Sequence, residues 1–414
     1  MNEAQSQALL DEQAEQLDYL RRILLAPIYD TVVETELTHL TKLSTRLNNQ
    51  IYLKREDQQP VHSFKLRGAC NKLAQLSEAE CIHGVIAASA GNHAQGLALA
   101  ASKLGIKATI VMPKTTPDIK VDAVRRFGGE NVNVVLHGTS FDQASSHAKA
   151  LCETHGYTFV PPFDDPDVIA GQGTVARELL EQNPNLDILF IAVGGGGLAA
   201  GIAVYLKQLK PSIKIVAVES EESACFIKAK AQGAPTELES VGIFADGVAV
   251  KVMGQETFRL CNRLIDETIT VTNDEICGAI KDIFDDTRVI AEPAGALSVA
   301  AIRKYAKQHE LKGKKLGGIL CGANINFHTL RYVSERCELG ELMQCSRVNG
   351  STADKVGALP SLCPAYTSGG GIVARCAPQH RATHARHPSI PPLLASNVGG
   401  HCLVALCVSP HHGD

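Results

Sequence analysis

Short apolar runs of strand length recur between residues 51 and 320, and stretches of helical periodicity separate most of them. The candidate strands are Ile51–Lys54, Val85–Ala88, Ala108–Met112, Asn133–Leu136, Ile188–Val193, Lys214–Val218, Thr268–Val271 and Leu316–Leu320. A continuous apolar run bounded by small residues marks a strand buried on both faces. Strands that alternate with helices join into parallel sheets. The pattern predicts an α/β chain built on open, twisted, mostly parallel sheets. At 414 residues it has room for two or three domains.

Three segments between these strands carry chemistry. Lys65 lies in His62-Ser63-Phe64-Lys65-Leu66-Arg67-Gly68-Ala69, at the end of a turn and the start of an apolar helix. A lysine amine becomes a nucleophile toward carbonyl compounds when desolvation or its neighbours lower its pKa. A snorkelling lysine at a helix start would read the same way. Ser89-Ala90-Gly91-Asn92-His93 follows the strand Val85–Ala88 and opens a helix whose apolar residues Ala94, Leu97, Ala98, Ala101 and Leu104 recur at helical spacing up to Gly105. Small residues at such a turn leave backbone N–H groups pointing outward, which favours a carboxylate or phosphate. Asn92 could donate to an oxygen of a bound ring, and His93 is either a site residue or a satisfied histidine of the first turn.

The third segment, Gly194-Gly195-Gly196-Gly197-Leu198, follows the strand Ile188–Val193. Gly194, Gly196 and Ala199 also satisfy the dinucleotide pattern GxGxxA, and Glu219 stands 20 residues beyond Ala199, where a ribose-binding acid would be. Any glycine turn between parallel strands produces that match easily. Four consecutive glycines more simply describe a backbone cup around one phosphate.

Together these segments resemble the fold-type II pyridoxal-phosphate enzymes, and within them the biosynthetic threonine dehydratases. The resemblance rests on Lys54–Asp57, Ser63–Ala69, Ser89–Gly96, Gly194–Leu198, Ala291–Gly295 and Leu320–Asn324 with Asn326-Phe327-His328, and it runs on through Arg331–Arg336 to about Glu341. It implies two open twisted sheets like those of tryptophan synthase β, with pyridoxal 5'-phosphate in the cleft between them. Residues 1–60 and 158–340 would form the large cofactor-binding domain and 61–157 a small one, with Pro161–Pro166 as a hinge.

By the same resemblance, Lys65 would hold the cofactor covalently and act as the base at the substrate's Cα. Phe64 would pack against the cofactor, and Asn92 would bond the ring hydroxyl. Gly194, Gly195, Gly196, Gly197 and Leu198 would bind the phosphate, and Cys321 would sit near the pyridine nitrogen. Ser89, Ala90, Gly91, Asn92 and His93 would hold the substrate carboxylate, and Glu292 lines the site. A thiol near the ring nitrogen does not strongly favour a protonated pyridine, which suits prompt β-elimination. The implied reaction converts L-threonine, and L-serine as a second substrate, to a 2-oxo acid and ammonia, a first step towards isoleucine. A serine-preferring dehydratase or racemase shares the lysine and the glycine loop. The related racemases carry an acidic cation site after the strand that ends near Glu219, where this chain has Ser223 and Cys225. A cofactor-binding but inactive product is the third reading.

Composition agrees with an intracellular enzyme of this size. A formal net charge of -4 gives no footprint for nucleic acid, and the longest apolar stretches are too short to span a membrane. The polar, then acidic, N-terminus is unlike a secretory signal. Of thirteen cysteines, the eight in the first 340 residues are scattered without paired spacing, which points to reduced thiols in a cytoplasm. No metal is expected, and a homo-oligomer, dimer or tetramer, is. Residues 9–24 look like an amphipathic packing helix.

The last 74 residues differ. Between 341 and 414 there are 8 charged residues against 76 before them, with 7 of the 18 prolines and no sustained periodicity. They resemble no ACT-like regulatory domain, which relatives carry at this point. The expectation is an aberrant, disordered extension without isoleucine feedback. Cys376, His380, His384 and His387 could be drawn as a zinc set, but histidines without a folded frame are more often incidental.

Overall fold

The computed structural model describes residues 17–337. Ten strands are present among them: β1 (Leu37–His39), β2 (Gln50–Arg55), β3 (Val85–Ala88), β4 (Ala108–Met112), β5 (Val132–Leu136), β6 (Thr158–Phe159), β7 (Ile188–Ala192), β8 (Lys214–Ser220), β9 (Glu267–Val271) and β10 (Lys315–Leu320). They form a six-stranded sheet of order β1-β2-β10-β7-β8-β9 and a four-stranded sheet of order β5-β4-β3-β6. Every neighbouring pair is parallel except β1 with β2, which is antiparallel at the sheet edge. The α/β class with two mostly parallel sheets is therefore as the sequence implies.

The strands read from continuous apolar runs are buried along their length: every residue of β3, β4 and β7 is buried. Helices cover them. The helices Pro166–Gln182 and Gly197–Leu209 pack together so closely that a Cβ on Gly201 would stand 2.3 Å from the carbonyl oxygen of Ile169. The larger core joins β7, β8 and β10 to these helices and to Pro293–Gln308, and it takes in Tyr19 and Ile23 from the N-terminal helix 17–24. Smaller clusters line the two faces of the four-stranded sheet.

The chain begins in the six-stranded sheet with β1 and β2, builds the four-stranded sheet from β3 to β6, and returns to the first sheet with β7. The proline-rich segment differs in part from the expected hinge. It lacks regular structure only up to Asp165, whose carboxylate accepts from the N–H groups of Asp167 (2.9 Å) and Val168 (3.1 Å). Pro166 is then the first residue of the helix, where its missing N–H and fixed φ are an advantage rather than a break. The 341–414 extension, its cysteine–histidine set and residues 9–16 lie outside the described residues. Among the described residues no helix is long and apolar enough to cross a membrane.

Candidate active site

In open parallel sheets, ligands bind beyond the carboxyl ends of the strands where the strand order reverses. The four-stranded sheet reverses at β3, which lies between β4 and β6, and the six-stranded sheet reverses between β7 and β10. The turns leaving these strands are Ser89–His93, Gly194–Gly197 and Cys321–Asn324. The topology thus gives each of these three turns a switch-point position.

Lys65 is the first residue of the helix Lys65–Gln75. The segment before it is fastened to the turn after β10. Phe64 N–H donates to the carbonyl of Cys321 (3.1 Å), Ala323 N–H donates to that of His62 (2.9 Å), and Ser63 bridges to Gly322. His62 takes a left-handed φ of 54° in this crossing. The Lys65 ammonium donates to the carbonyl oxygen of Pro162 (2.8 Å) and stands 5.4 Å from the centre of the Phe64 ring. Among the described residues no carboxylate pairs with it. Burial lowers its pKa to about 8, although the Cys321 and Glu292 side chains pull upward. At pH 7 about a tenth of such amines are neutral, against well under a thousandth for an ordinary lysine.

Residue Phe163, next to the carbonyl that holds Lys65, packs on the tetraglycine turn. A Cβ on Gly195 would be 2.1 Å from the Phe163 ring, one on Gly194 2.9 Å from Val248, and one on Gly196 2.5 Å from Met253. Gly196 also has φ +90°, which only glycine adopts without strain. The carbonyls of this turn are all spoken for: Cys225 donates to Gly194 (3.3 Å), Thr257 to Gly195 (2.7 Å) and Cys261 to Gly196 (3.8 Å). The N–H groups of Gly194 to Gly196 donate to no acceptor among the described residues. The helix Gly197–Leu209 that follows has no side-chain cap and no acidic residue in its first turn. A set of free amides at the positive end of a helix is an anion site.

Glu219 does not behave as a ribose-binding acid. It is fully buried at the end of β8, and its carboxylate accepts from the N–H groups of Phe226 (2.8 Å) and Ile227 (2.9 Å), capping the helix Cys225–Gln232 from outside. Burial raises it to about 7. The dinucleotide alternative loses its second element.

Asn92 begins the helix Asn92–Leu104, whose N-cap Gly91 provides no side chain. Its amide nitrogen donates to Glu292 (2.7 Å), and its oxygen accepts from the Asn324 side chain (2.8 Å). Glu292 is buried at the start of the helix Pro293–Gln308 and also accepts from Asn324 N–H (3.1 Å). Burial, with the charge of Asp246, raises it to about 7 against these hydrogen bonds. Ser89 accepts weakly from Gly91 N–H (3.4 Å) and, like Ala90 and Gly91, is half-buried. The His93 ring is spent on packing: it meets the carbonyl of Val160 (3.0 Å), and burial and Lys65 lower it to about 4. Only its backbone remains for a ligand. Cys321 is buried, and burial, with Glu292 and Glu56 adding to it, drives its thiol well above the ordinary range, so it keeps its proton.

The structure brings Lys65, Phe64, Cys321, Glu292 and Asn92 into one connected array with Asn324 and Pro162, neither of which the sequence marks as a site residue. Asn324 was visible only as a motif member, and the Pro162 carbonyl carries no side-chain signal. Ser63 is fully buried two residues before Lys65, and its hydroxyl has no partner among the described residues.

Pyridoxal 5'-phosphate presents an aldehyde, a phosphate dianion, a ring oxygen and a pyridine nitrogen. The donor set answers each in kind: a desolvated amine, free glycine amides, a side-chain amide and a neutral thiol. The orphaned Ser63 hydroxyl is a further sign of a missing polar ligand. The residues fit the group.

Comparison with known proteins agrees. The family model described as pyridoxal-phosphate dependent enzyme matches residues 28–322. L-threonine dehydratase biosynthetic IlvA of Salmonella typhimurium is 58% identical over 341 residues, 82% of this chain and 65% of that protein. Its Escherichia coli counterpart is 58% identical over 327 residues, 79% and 63% respectively. The chain thus spans a little under two thirds of the length of these curated relatives. Among solved structures, processed threonine deaminase isoform 2 from Solanum lycopersicum superposes with a TM-score of 0.77 at 47% identity, over 79% of this chain and 89% of that one. Serine racemase from Dictyostelium discoideum gives 0.68 at 33% identity, over 74% and 99%.

Proposed function

The chain belongs to the pyridoxal-phosphate dependent enzymes, and we propose that it dehydrates and deaminates L-threonine to 2-oxobutanoate and ammonia, with L-serine as a second substrate. The observation that carries the reading is a lysine amine held near pKa 8, without a carboxylate partner, beside a glycine turn whose carbonyls are all bound and whose amides are free. The names of the relatives supply the substrate.

When bound, the cofactor supplies an electron sink for the charge left at the substrate's Cα. Lys65 would hold it through the amine nitrogen and would serve as the base for the Cα proton; its lowered pKa makes the neutral amine available near pH 7. The amides of Gly194 to Leu198 would hold the phosphate, Phe64 would pack against the cofactor, and Asn92 would donate to its ring oxygen. The turn Ser89–His93 would receive the substrate carboxylate through its backbone N–H groups. Cys321 keeps its proton and would offer the ring nitrogen no carboxylate, which suits elimination.

The racemase reading draws on the Dictyostelium likeness. Against it, the Glu219 carboxylate is already used by two amides, and Cys225 is turned to Gly194 rather than offering a carboxylate. A small domain built on the four-stranded sheet, expected over 61–157 and carried to Phe159 by β6, a homo-oligomer and action in a cytoplasm belong to the same proposal. The eight described cysteines are all free, in keeping with that compartment.

The test is 2-oxobutanoate formation from L-threonine by the purified chain loaded with pyridoxal 5'-phosphate. The proposal expects turnover to 2-oxobutanoate and ammonia. D-serine from L-serine without oxobutanoate would move the assignment to a racemase. A visible cofactor band without either product would leave an inactive binder.

A further inference from the structure

Asn92 has two N–H groups and one oxygen, and the two ends of its amide are the same size. Something must decide which end faces the ligand. The chain of contacts starts at the carbonyl of Val61, which can only accept. The Asn324 side chain donates to it (2.8 Å), so its nitrogen, not its oxygen, points that way. The same nitrogen donates to the oxygen of Asn92 (2.8 Å). With its oxygen so engaged, Asn92 turns its nitrogen to Glu292 (2.7 Å), whose other oxygen accepts from Asn324 N–H (3.1 Å). One N–H of Asn92 then remains without an acceptor among the described residues.

We infer that Asn324 is a positioning residue: anchored on the carbonyl of Val61, it fixes the polarity of the Asn92 amide, so that one Asn92 N–H is kept for the anionic ring oxygen of the cofactor. This rests on the pyridoxal-phosphate reading and adds to it a residue that touches neither the phosphate nor the lysine. The loop ties together three segments that meet at the switch points: the start of the helix Asn92–Leu104, the start of the helix Pro293–Gln308 and the turn after β10. Glu292 closes it, with both carboxylate oxygens acting as acceptors. Replacing the Asn324 amide by a carboxylate reverses the chain: an oxygen would face both Val61 O and Asn92, and Asn92 would have to turn its nitrogen away from Glu292.

The experiment compares the parent chain with Asn324→Asp as apo-proteins. Each is titrated with pyridoxal 5'-phosphate and with its 3-O-methyl ether, which cannot present an anionic ring oxygen. Binding and band position are read by visible absorbance. The expected result is a loss of about tenfold or more in affinity for pyridoxal phosphate with a displaced band, and less than about twofold for the ether. Unchanged affinity for pyridoxal phosphate, or equal losses for both ligands, overturns the inference. Should Asn324→Asp fail to fold, Asn324→Ala removes the donor without introducing a carboxylate and is judged by the same two-ligand ratio. A parent chain that binds no pyridoxal phosphate would instead refute the cofactor reading itself.

Discussion

Two cations stand two residues apart at the start of one helix, Arg67 fully buried and Lys65 half-buried, and they have opposite fates. Arg67 is fully buried and held bidentately by Glu56 (2.7 and 2.8 Å) and by Glu178 (2.5 and 2.9 Å). Lys54 adds a pair to Glu178 (2.7 Å), Thr35 donates to Glu56 (2.7 Å) and Tyr29 to Glu178 (3.0 Å). Two cations and two carboxylates cancel. Burial alone would lower the arginine, but the carboxylates win and raise it, and Arg67 in turn holds Glu178 below its usual range despite burial. Lys65 has burial without pairing, and its pKa falls to about 8. Desolvation is common to both; the partner decides whether a buried cation is a strut or a reagent.

The comparison breaks first at Lys65. Lys65→Ala should cost at least about 1,000-fold in threonine turnover and remove the visible cofactor band. Its melting temperature should not fall, since no ion pair is lost. Activity within tenfold of the parent would refute the assignment. Arg67→Met should do the reverse: it leaves Glu56 and Glu178 short of a partner and should cost about 3–5 kcal/mol in urea unfolding. A loss under about 1 kcal/mol would mean that the network is not the strut described. Gly195→Ala lies between the two, because its Cβ would run into the Phe163 ring. About 1–3 kcal/mol of stability should go, together with weaker cofactor binding. Binding unchanged by that substitution would detach the glycine turn from the site. Cys321→Ser should have the smallest effect, a few-fold in turnover, because a neutral hydroxyl replaces a neutral thiol. A collapse of activity would give the sulfur a role beyond that of a neutral neighbour.

Legibility followed the range of the interactions. β3 and β4 were readable to the residue, because a strand covered on both faces writes a continuous apolar run. β1, three residues at an edge, and β6, two residues, bury too little to leave a pattern. Pro166 falls within the expected hinge rather than at a helix start because the Asp165 cap that makes it one depends on backbone geometry. Lys65 and the tetraglycine turn were visible, since their chemistry is local to a few residues. The contacts that orient the site were not. Pro162 O lies 97 residues from Lys65, Asn324 lies 232 from Asn92, and Val61 lies 263 from Asn324. Only the folded chain brings them together.

The most direct test of the Lys65 assignment is to load the apo-protein with pyridoxal 5'-phosphate across a series of pH values, reduce it with borohydride, and map the labelled lysine. The label should fall on Lys65, with a rate of capture that rises through about pH 8 as the amine loses its proton. Label on Lys54 or on surface lysines while Lys65 stays free, or a rise only near the ordinary lysine value of 10.5, would contradict it.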